Sequence, residues 1–312
     1  MTTRYAFPTS NNRTQFTQSS PTALLCAAAT ILFWAGSFPA ITVALLSFSP
    51  LPLAALRFGL ASVTLGAVIG VVVIRAQERN VWLRPTFRDL VWLALCGLLG
   101  IAIYNWLLNT GQQTVSPAAA SLLIACQPVF AALVGTQVFG ETFSRQAWIG
   151  TGVCLAGALV LSLGQPGGMT FGGGSLLVLL AAICSGSFFA LQRPLAARYG
   201  ALSSAFAVLL LGAVWLSPWI GSGLQELADA SAGSIVALVF LGTLPGALAY
   251  VTWMVAIRDL GAARASNLLF FMAPTAALLA IPVTGAWPNA ATWIGGAIAM
   301  FGVLVVHRTK PT

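Results

Sequence analysis

Aromatic and polar side chains that could bind a small molecule recur inside long apolar stretches of the chain. Trp34, Ser37 and Phe38 have the i, i+3, i+4 spacing that places side chains on one face of a helix. Tyr250 and Trp253 are spaced in the same way. Aromatic faces combined with hydroxyl and amide groups suit a zwitterion that carries an apolar or aromatic side chain. We predict that both sets line one central site.

Further residues at similar depth in their apolar stretches offer a ring, a hydroxyl or an amide group. All of these side chains also have an alternative role, because tyrosine and tryptophan form belts at membrane interfaces, and serine and asparagine hydrogen-bond neighbouring helices. The sequence leaves both roles open. The further candidates for substrate binding are Tyr104, Ser121, Gln127, Ser185, Gln192 and Asn267.

Arg57 differs from the other basic residues because it lies well inside an apolar stretch. A charge at that depth is costly and marks a functional position by default. It could attract the carboxylate of a substrate. It could equally extend to the membrane surface or hold backbone carbonyls at a helix end, and we favour a structural role of this kind.

Catalytic chemistry finds no support in the residue pattern. All six acidic residues fall at the ends of apolar stretches or between them, and the one histidine, His307, begins the C-terminal tail. The sequence has no Ser/His, Asp/Asp or HExxH arrangement, no P-loop for ATP, and no group typical of a metal or cofactor site. Proton-coupled transporters usually titrate a carboxylate or histidine inside the membrane. Passive or potential-driven uniport is therefore the simplest expectation, and coupling through backbone carbonyls or through protonation of the substrate stays open.

The five cysteines are spread one to an apolar stretch, with no close pair along the chain. This spacing predicts small buried apolar side chains rather than disulfides or metal ligands.

The elements that hold these residues are predicted from hydropathy. Hydrophobic residues make up 58% of the chain and charged residues 6%, whereas a soluble domain has about 25% charged residues. Apolar stretches of about 20 residues, the length of a membrane-crossing helix, recur throughout. We therefore predict an all-α membrane protein with ten transmembrane helices. They are 21–46, 50–74, 87–110, 117–139, 144–163, 172–197, 201–221, 232–257, 262–284 and 290–307.

The basic residues predict how these helices are oriented. Apart from Arg57, all of the 14 lysine and arginine residues fall in segments that ten crossings place on one side. The connections on the other side contain none, and one of them holds Glu226 and Asp229. Because cytoplasmic loops are rich in Lys and Arg, both termini are predicted to be cytoplasmic in a bacterial inner membrane. This asymmetry accounts for the net charge of +8, which does not indicate nucleic-acid binding.

The two halves of the chain repeat one another. Each half has five predicted helices, an odd number, so the second copy must cross the membrane in the opposite direction. Two inverted copies around a central site are typical of alternating access. Pro128 and Pro274 are one matched pair, and both remove a backbone donor, so we predict hinges there. Other matched pairs are Gly100 and Gly246, Tyr104 and Tyr250, Gly150 and Gly295, and Gly157 and Gly302.

These features in order resemble the drug/metabolite transporter superfamily, in its ten-helix branch with two EamA-type repeats. The second half departs from the family pattern, because no arginine answers Arg57 and Ala286-Trp287 stands where the first half has Gly140-Glu141. The residues that carry the resemblance are Trp34-Ala35-Gly36-Ser37-Phe38, Pro52 to Phe58, Gly100, Tyr104, Pro128 to Leu133, Gly140-Glu141, Gly150 and Gly157.

The resemblance implies how the chain is divided. It predicts a disordered cytoplasmic tail at 1–20, a five-helix repeat at 21–165, an inverted five-helix repeat at 166–307 and a second tail at 308–312.

The resemblance also implies a function. Within the superfamily the chain looks most like bacterial exporters of aromatic amino acids. We therefore expect a secondary transporter that exports small metabolites, including aromatic amino acids, and acts as a monomer in the lipid bilayer without a cofactor. Export of other drugs or metabolites, an integral-membrane enzyme and a non-transporting receptor remain alternatives.

Overall fold

The computed structural model describes residues 21–76, 85–139, 144–164, 173–260, 268–285 and 287–308. Throughout these ranges the chain is helical and contains no strand, which confirms the all-α fold class. The tail predicted at 1–20 lies outside the described residues. The last helix reaches Arg308, the first residue of the predicted C-terminal tail.

Helices of the first half follow the predicted order, with shorter segments inside two of the predicted spans. A π-helical segment, Leu98–Ile103, joins α3 to α4. The helices are α1 (Pro21–Ala44), α2 (Pro50–Ala76), α3 (Phe87–Gly97), α4 (Tyr104–Gly111), α5 (Pro117–Ile124), α6 (Gln127–Phe139) and α7 (Arg145–Leu163).

Helices of the second half are interrupted in a similar way. A second π-helical segment, Leu244–Leu248, joins α12 to α13, and 3₁₀ turns occupy Ser217–Trp219 and Leu269–Phe271. The helices are α8 (Gly174–Leu191), α9 (Arg193–Tyr199), α10 (Ala201–Leu216), α11 (Ile220–Ala228), α12 (Ala232–Thr243), α13 (Ala249–Leu260), α14 (Met272–Thr284) and α15 (Ala290–Arg308).

Several helices begin at residues whose side chains cap them. Thr86 and Asp89 form a reciprocal capping box at the start of α3, and Ser116 accepts a hydrogen bond from the backbone of Ala119 at the start of α5. Such caps satisfy backbone donors that the first helical turn leaves without partners. The sequence thus determines these helix starts locally.

Seven helical stretches of the described chain have the length and apolar composition needed to cross a membrane. Shorter apolar helices lie at Trp148–Val160, Met272–Thr284 and Ala290–Val305, where the sequence predicts the fifth, ninth and tenth spans. The chain is therefore a multi-pass membrane protein, and ten crossings remain a prediction. The seven stretches are Pro21–Ala44, Pro50–Val71, Phe87–Gly111, Pro117–Val138, Gly174–Leu191, Leu202–Ala228 and Ala232–Ala256.

The predicted span 201–221 is too short. After the 3₁₀ turn at Ser217–Trp219 the chain continues as α11 to Ala228. Gly223 lies within this continuation and does not end a helix. A Cβ on Gly223 would lie 2.9 Å from Leu56 Cγ. Gly223 lets α11 pack closely against α2.

The predicted spans 117–139 and 172–197 are each broken near a proline. α5 ends at Ile124 and α6 begins at Gln127, while Gln192 separates α8 from α9. Pro128 and Pro194 have no backbone N–H, so neither can continue the hydrogen-bond ladder of the preceding helix. Short turns replace the ladder at both places.

The two π-helical segments occupy matched positions in the two halves. Gly100 lies within the first segment and its repeat partner Gly246 lies within the second. Tyr104 follows the first segment directly, and Tyr250 follows the second after Ala249. π-Helical turns inside α-helices are frequent at functional sites, so the local backbone structure favours both tyrosines as candidate site residues.

α7 and α15 pack closely at glycines, and each close contact joins one half of the chain to the other. A Cβ on Gly157 would lie 2.6 Å from the carbonyl oxygen of Gly295, and a Cβ on Gly302 would lie 2.6 Å from that of Gly150. Residue numbers rise along one helix as they fall along the other, so the two helices are antiparallel. The two contacts correspond to each other in the sequence repeat, because Gly157 matches Gly302 and Gly295 matches Gly150.

Helix ends predicted to share a side of the membrane are in contact. The backbone N–H of Ser49 donates to Glu226 at 2.9 Å, and that of Ser231 donates to Ser47 Oγ at 3.2 Å. At other helix ends Arg198 pairs with Asp89 at 2.9 Å. These contacts agree with the predicted grouping of the helix ends.

The cysteines are free thiols. Cys126 Sγ donates to the carbonyl oxygen of Leu122 at 3.9 Å. Cys96, Cys126 and Cys154 are buried, which agrees with the small buried side chains that the sequence predicts, while Cys26 and Cys184 are half-buried.

Candidate functional site

Three of the predicted aromatic residues form one cluster between α1 and α13. The ring centroids of Trp34 and Tyr250 are 5.9 Å apart in an edge-to-face arrangement, and those of Trp34 and Trp253 are 5.8 Å apart. All three side chains are half-buried. Separations of 4.5–7 Å are typical of favourable aromatic pairs, so the three rings pack against one another while part of their surface stays accessible.

Trp34 is also hydrogen-bonded to the second π-helical segment. Its Nε1 donates to the carbonyl oxygen of Pro245 at 3.2 Å. Nearby, the hydroxyls of Thr30 and Thr252 are 2.7 Å apart. The first and second halves of the chain therefore meet at this cluster through both aromatic and hydroxyl side chains.

Gln127 and Ser185 form a second predicted group. The Ser185 hydroxyl donates to Gln127 Oε1 at 2.7 Å and links α8 to α6. The neighbouring Gly186 permits this approach, because a Cβ there would lie 2.5 Å from the carbonyl oxygen of Gln127. The pair is a hydrogen-bonded polar group within an apolar bundle, and a role of either residue in substrate binding remains a prediction.

Other predicted residues lie within the packing of the bundle rather than at an open surface. Phe38 is buried in the core. The hydroxyl of Ser37 donates to the carbonyl of Trp34, and that of Ser121 donates to the carbonyl of Ala118. Serines that bond to their own helix in this way leave little capacity for a ligand.

The two remaining polar candidates are Gln192 and Asn267. Gln192 lies between α8 and α9, about 10 Å beyond Ser185 at 1.5 Å per residue. Asn267 lies outside the described residues.

Both predicted hinge prolines lie at the starts of helices rather than in their middles. Pro128 is the second residue of α6 and follows the break at 125–126. Pro274 lies in the first turn of α14 and follows the 3₁₀ turn Leu269–Phe271. Each proline therefore coincides with an interruption of its predicted span, and a hinge function remains a prediction.

Arg57 is buried, with 8% of its surface exposed. Its Nη1 donates to Asn105 Oδ1 at 3.2 Å, and its guanidinium carbon is 4.9 Å from the centre of the Phe58 ring. The side chain therefore does not extend to the membrane surface, which removes one of the structural roles considered from the sequence.

The sequence reasoning missed three buried amides, two on α4 and one directly after it. Asn105, Asn109 and Gln112 are all buried and follow one helical face at i, i+4 and i+7 spacing. Asn109 donates to the carbonyl of Pro50 at 3.0 Å, and Gln112 donates to that of Phe38 at 2.9 Å. Their regular spacing within an apolar span was the signal that could have identified them.

A separate cavity of about 170 Å³ lies at the ends of α5, α14 and α15. Its lining includes Ser116, Thr284, Trp287 and Asn289 but none of the predicted substrate-binding residues. Within the described residues no group of three or more His, Cys, Asp or Glu side chains is arranged to hold a metal ion. The aromatic cluster is thus the better candidate for a substrate site.

Comparisons with known proteins identify relatives along almost the whole chain. A "Probable terminal-alkyne amino-acid exporter" of Streptantibioticus cattleyicolor is 33% identical over 89% of this chain and 91% of its own length. The "Uncharacterized transporter YdfC" of Bacillus subtilis is 28% identical over 88% of this chain and 87% of its own length. A solved crystal structure that is 23% identical has a TM-score of 0.55, covering 93% of this chain and 99% of the other. That likeness concerns the fold alone.

The family comparison agrees with the resemblance found in the sequence. The model of the EamA-like transporter family matches twice, at residues 21–163 and 172–308. These matches together cover most of the chain. The chain therefore belongs to the EamA-like transporter family, within the drug/metabolite transporter superfamily.

Proposed function

We propose that this protein exports small metabolites, chiefly amino acids and including aromatic ones, through a central site between its two halves. The observation that carries the proposal is the cluster of Trp34, Tyr250 and Trp253 between α1 and α13. Aromatic faces beside buried hydroxyl and amide groups suit an amphipathic zwitterion. The Streptantibioticus cattleyicolor relative is named as an amino-acid exporter, which supports the same substrate class.

Transport proceeds by alternating access of two inverted five-helix repeats in a ten-helix bundle. Three features support this part of the proposal: the family matches in both halves, the matched π-helical segments, and the corresponding glycine contacts of α7 and α15. Two inverted copies can exchange conformations, so inward-open and outward-open states have similar energies. Pro128 and Pro274 are the proposed hinges, the protein acts as a monomer, and both termini are cytoplasmic.

The proposed mechanism is uncoupled from protons. Among the described acids, Asp89 lies in the first turn of α3, Glu226 and Asp229 lie at the end of α11, and Asp259 lies in the last turn of α13. None of these four is near the middle of a candidate span. A carboxylate that carries protons would need such a position.

Counterflow in proteoliposomes tests the proposal. Vesicles loaded with unlabelled phenylalanine should take up labelled phenylalanine transiently, without a pH gradient and unaffected by a protonophore. Protein-free vesicles should not, and recovered substrate should be chemically unchanged, which separates transport from enzymatic conversion. Uphill accumulation that a pH gradient drives, and that Glu141→Gln abolishes while exchange survives, would show that uncoupled transport is wrong.

A further inference from the structure

Arg57 is a charged group without a charged partner. It is 8% exposed within the candidate span Pro50–Val71, about 10 Å from the start of α2 at 1.5 Å per residue. Within the described part of the chain no carboxylate forms an ion pair with it. An unpaired buried charge is strongly unfavourable, and proteins retain one where function requires it.

One edge of the guanidinium is held and another is vacant. Nη1 donates to Asn105 Oδ1, and the Asn105 amide is itself oriented because its Nδ2 donates to the carbonyl of Ile101 at 2.8 Å. Nε is buried and has no hydrogen-bond partner. Asn105 therefore positions Arg57 while leaving a strong donor directed at no protein group.

The guanidinium is connected to the aromatic cluster by side chains that pack together. The Phe58 ring below the guanidinium belongs to the core cluster against which Tyr250 packs, and the Tyr250 ring contacts Trp34. A series of contacts therefore runs from a fixed positive charge, past the rings of Phe58 and Tyr250, to a tryptophan. This arrangement matches the two ends of an aromatic or apolar amino acid, with its carboxylate at one end and its side chain at the other.

We propose that Arg57 binds the carboxylate of the transported amino acid, with Asn105 as its positioning residue. This inference rests on the proposed function and specifies which group of the substrate is recognised. A guanidinium pairs with a carboxylate through parallel N–H donors in a geometry that lysine cannot reproduce. The substrate then supplies the counter-charge that the described chain lacks.

Direct binding tests the inference separately from transport. Purified protein is titrated with phenylalanine and with phenethylamine, which lacks the carboxylate, while intrinsic tryptophan fluorescence is followed. Wild type should bind phenylalanine at least tenfold more tightly than phenethylamine. Arg57→Gln and Arg57→Lys should weaken phenylalanine binding at least tenfold and leave phenethylamine binding unchanged. Arg88→Gln, at an exposed position in the first turn of α3, is the matched control.

Asn105→Asp is the variant that separates substrate binding from a structural role. It places a carboxylate beside Arg57 and should therefore compete with the substrate, so that phenylalanine binding weakens at least tenfold while the thermal unfolding midpoint is maintained or raised. If Arg57 only stabilised the fold, the same variant would retain wild-type phenylalanine binding. That result would overturn the inference, and it does not depend on Arg57 variants being stable.

Two further outcomes have distinct meanings. If phenylalanine binding depends on Arg57 but counterflow is absent, the carboxylate site stands and the proposed transport function fails. If counterflow occurs but Arg57→Gln and Asn105→Asp both bind phenylalanine as wild type does, the carboxylate site is wrong.

Discussion

Trp34 is the residue at which binding and packing roles can be separated. Its ring contacts Tyr250 and Trp253, and its Nε1 donates to the carbonyl of Pro245. Phenylalanine at this position would keep a ring but lose the donor, whereas alanine would lose both. The two substitutions therefore report on different parts of the site.

We expect Trp34→Ala to reduce transport of phenylalanine several-fold more than transport of alanine. An aromatic pair contributes about 0.5–1.5 kcal/mol beyond area burial, and only a substrate with a ring can gain that energy. Trp34→Phe should preserve most of the preference for phenylalanine. Initial counterflow rates at equal protein content measure both effects.

The control for this comparison is Trp106→Ala. Trp106 is 47% exposed and lies on α4 two residues after Tyr104, so its loss should affect both substrates equally. Equal losses for phenylalanine and alanine in Trp34→Ala would instead assign Trp34 to packing.

At the scale of helices, a polar network joins the start of α3 to the end of α9. Asp89 accepts hydrogen bonds from Thr86 and Tyr199 and pairs with Arg198 at 2.9 Å. Burial and the hydrogen bond to Asp89 raise the pKa of Tyr199 above its ordinary value, so its hydroxyl stays protonated and remains a donor at neutral pH. The network holds the start of α3 and the end of α9 together.

The contact between α7 and α15 gives a prediction at the same scale. Gly157→Ala should destabilise the protein, because the added Cβ would lie 2.6 Å from the backbone carbonyl oxygen of Gly295. The clash is with backbone, so it can be relieved only if the two helices move apart. Overpacking of this kind costs about 1–3 kcal/mol. Gly302→Ala should have a similar effect, since its Cβ would meet Gly150 in the equivalent way. The thermal unfolding midpoint in detergent measures the change.

Gly152→Ala is the matched control within α7. A Cβ at Gly152 has no neighbour within 4 Å, and alanine is the better helix former, so the unfolding midpoint should stay the same or rise. If Gly157→Ala and Gly152→Ala behaved alike, the close antiparallel contact of α7 and α15 would be contradicted.

At the scale of the whole molecule, the orientation in the membrane can be tested by cysteine labelling. Ala197→Cys, in α9, should react with a membrane-impermeant maleimide only after the cytoplasm is opened. Trp287→Cys, between α14 and α15, should react in intact cells. Both positions are exposed, and the expectation follows from the arginine asymmetry and the positive-inside rule.

Wild type provides the background for this experiment. Its five cysteines are free thiols, three of them buried and two half-buried, so they should label weakly from either side. Labelling of Ala197→Cys in intact cells would disprove both the predicted number of crossings and the inversion of the repeats.

Hydropathy and local patterns were sufficient to predict the all-α membrane fold and the order of its helices. Backbone hydrogen bonds must be satisfied within each segment in lipid, so a span is a property of about 20 consecutive residues. The rings of Trp34, Tyr250 and Trp253 were also identifiable, because helical spacing determines which side chains share a face. Gly157 and Gly302 were found as a repeated pair from sequence positions alone.

Only the tertiary structure decided which of these residues meet. Ser37 and Phe38 share a helical face with Trp34, yet the hydroxyl of Ser37 bonds to its own helix and Phe38 packs in the core. The pairing of Arg57 with Asn105 joins α2 to α4, and such a contact depends on how helices are rotated and offset against one another. Close glycine contacts and interrupted helices set those rotations, and they act between segments that are distant in the chain. Sequence periodicity describes one helix at a time, and therefore predicts its faces but not their partners.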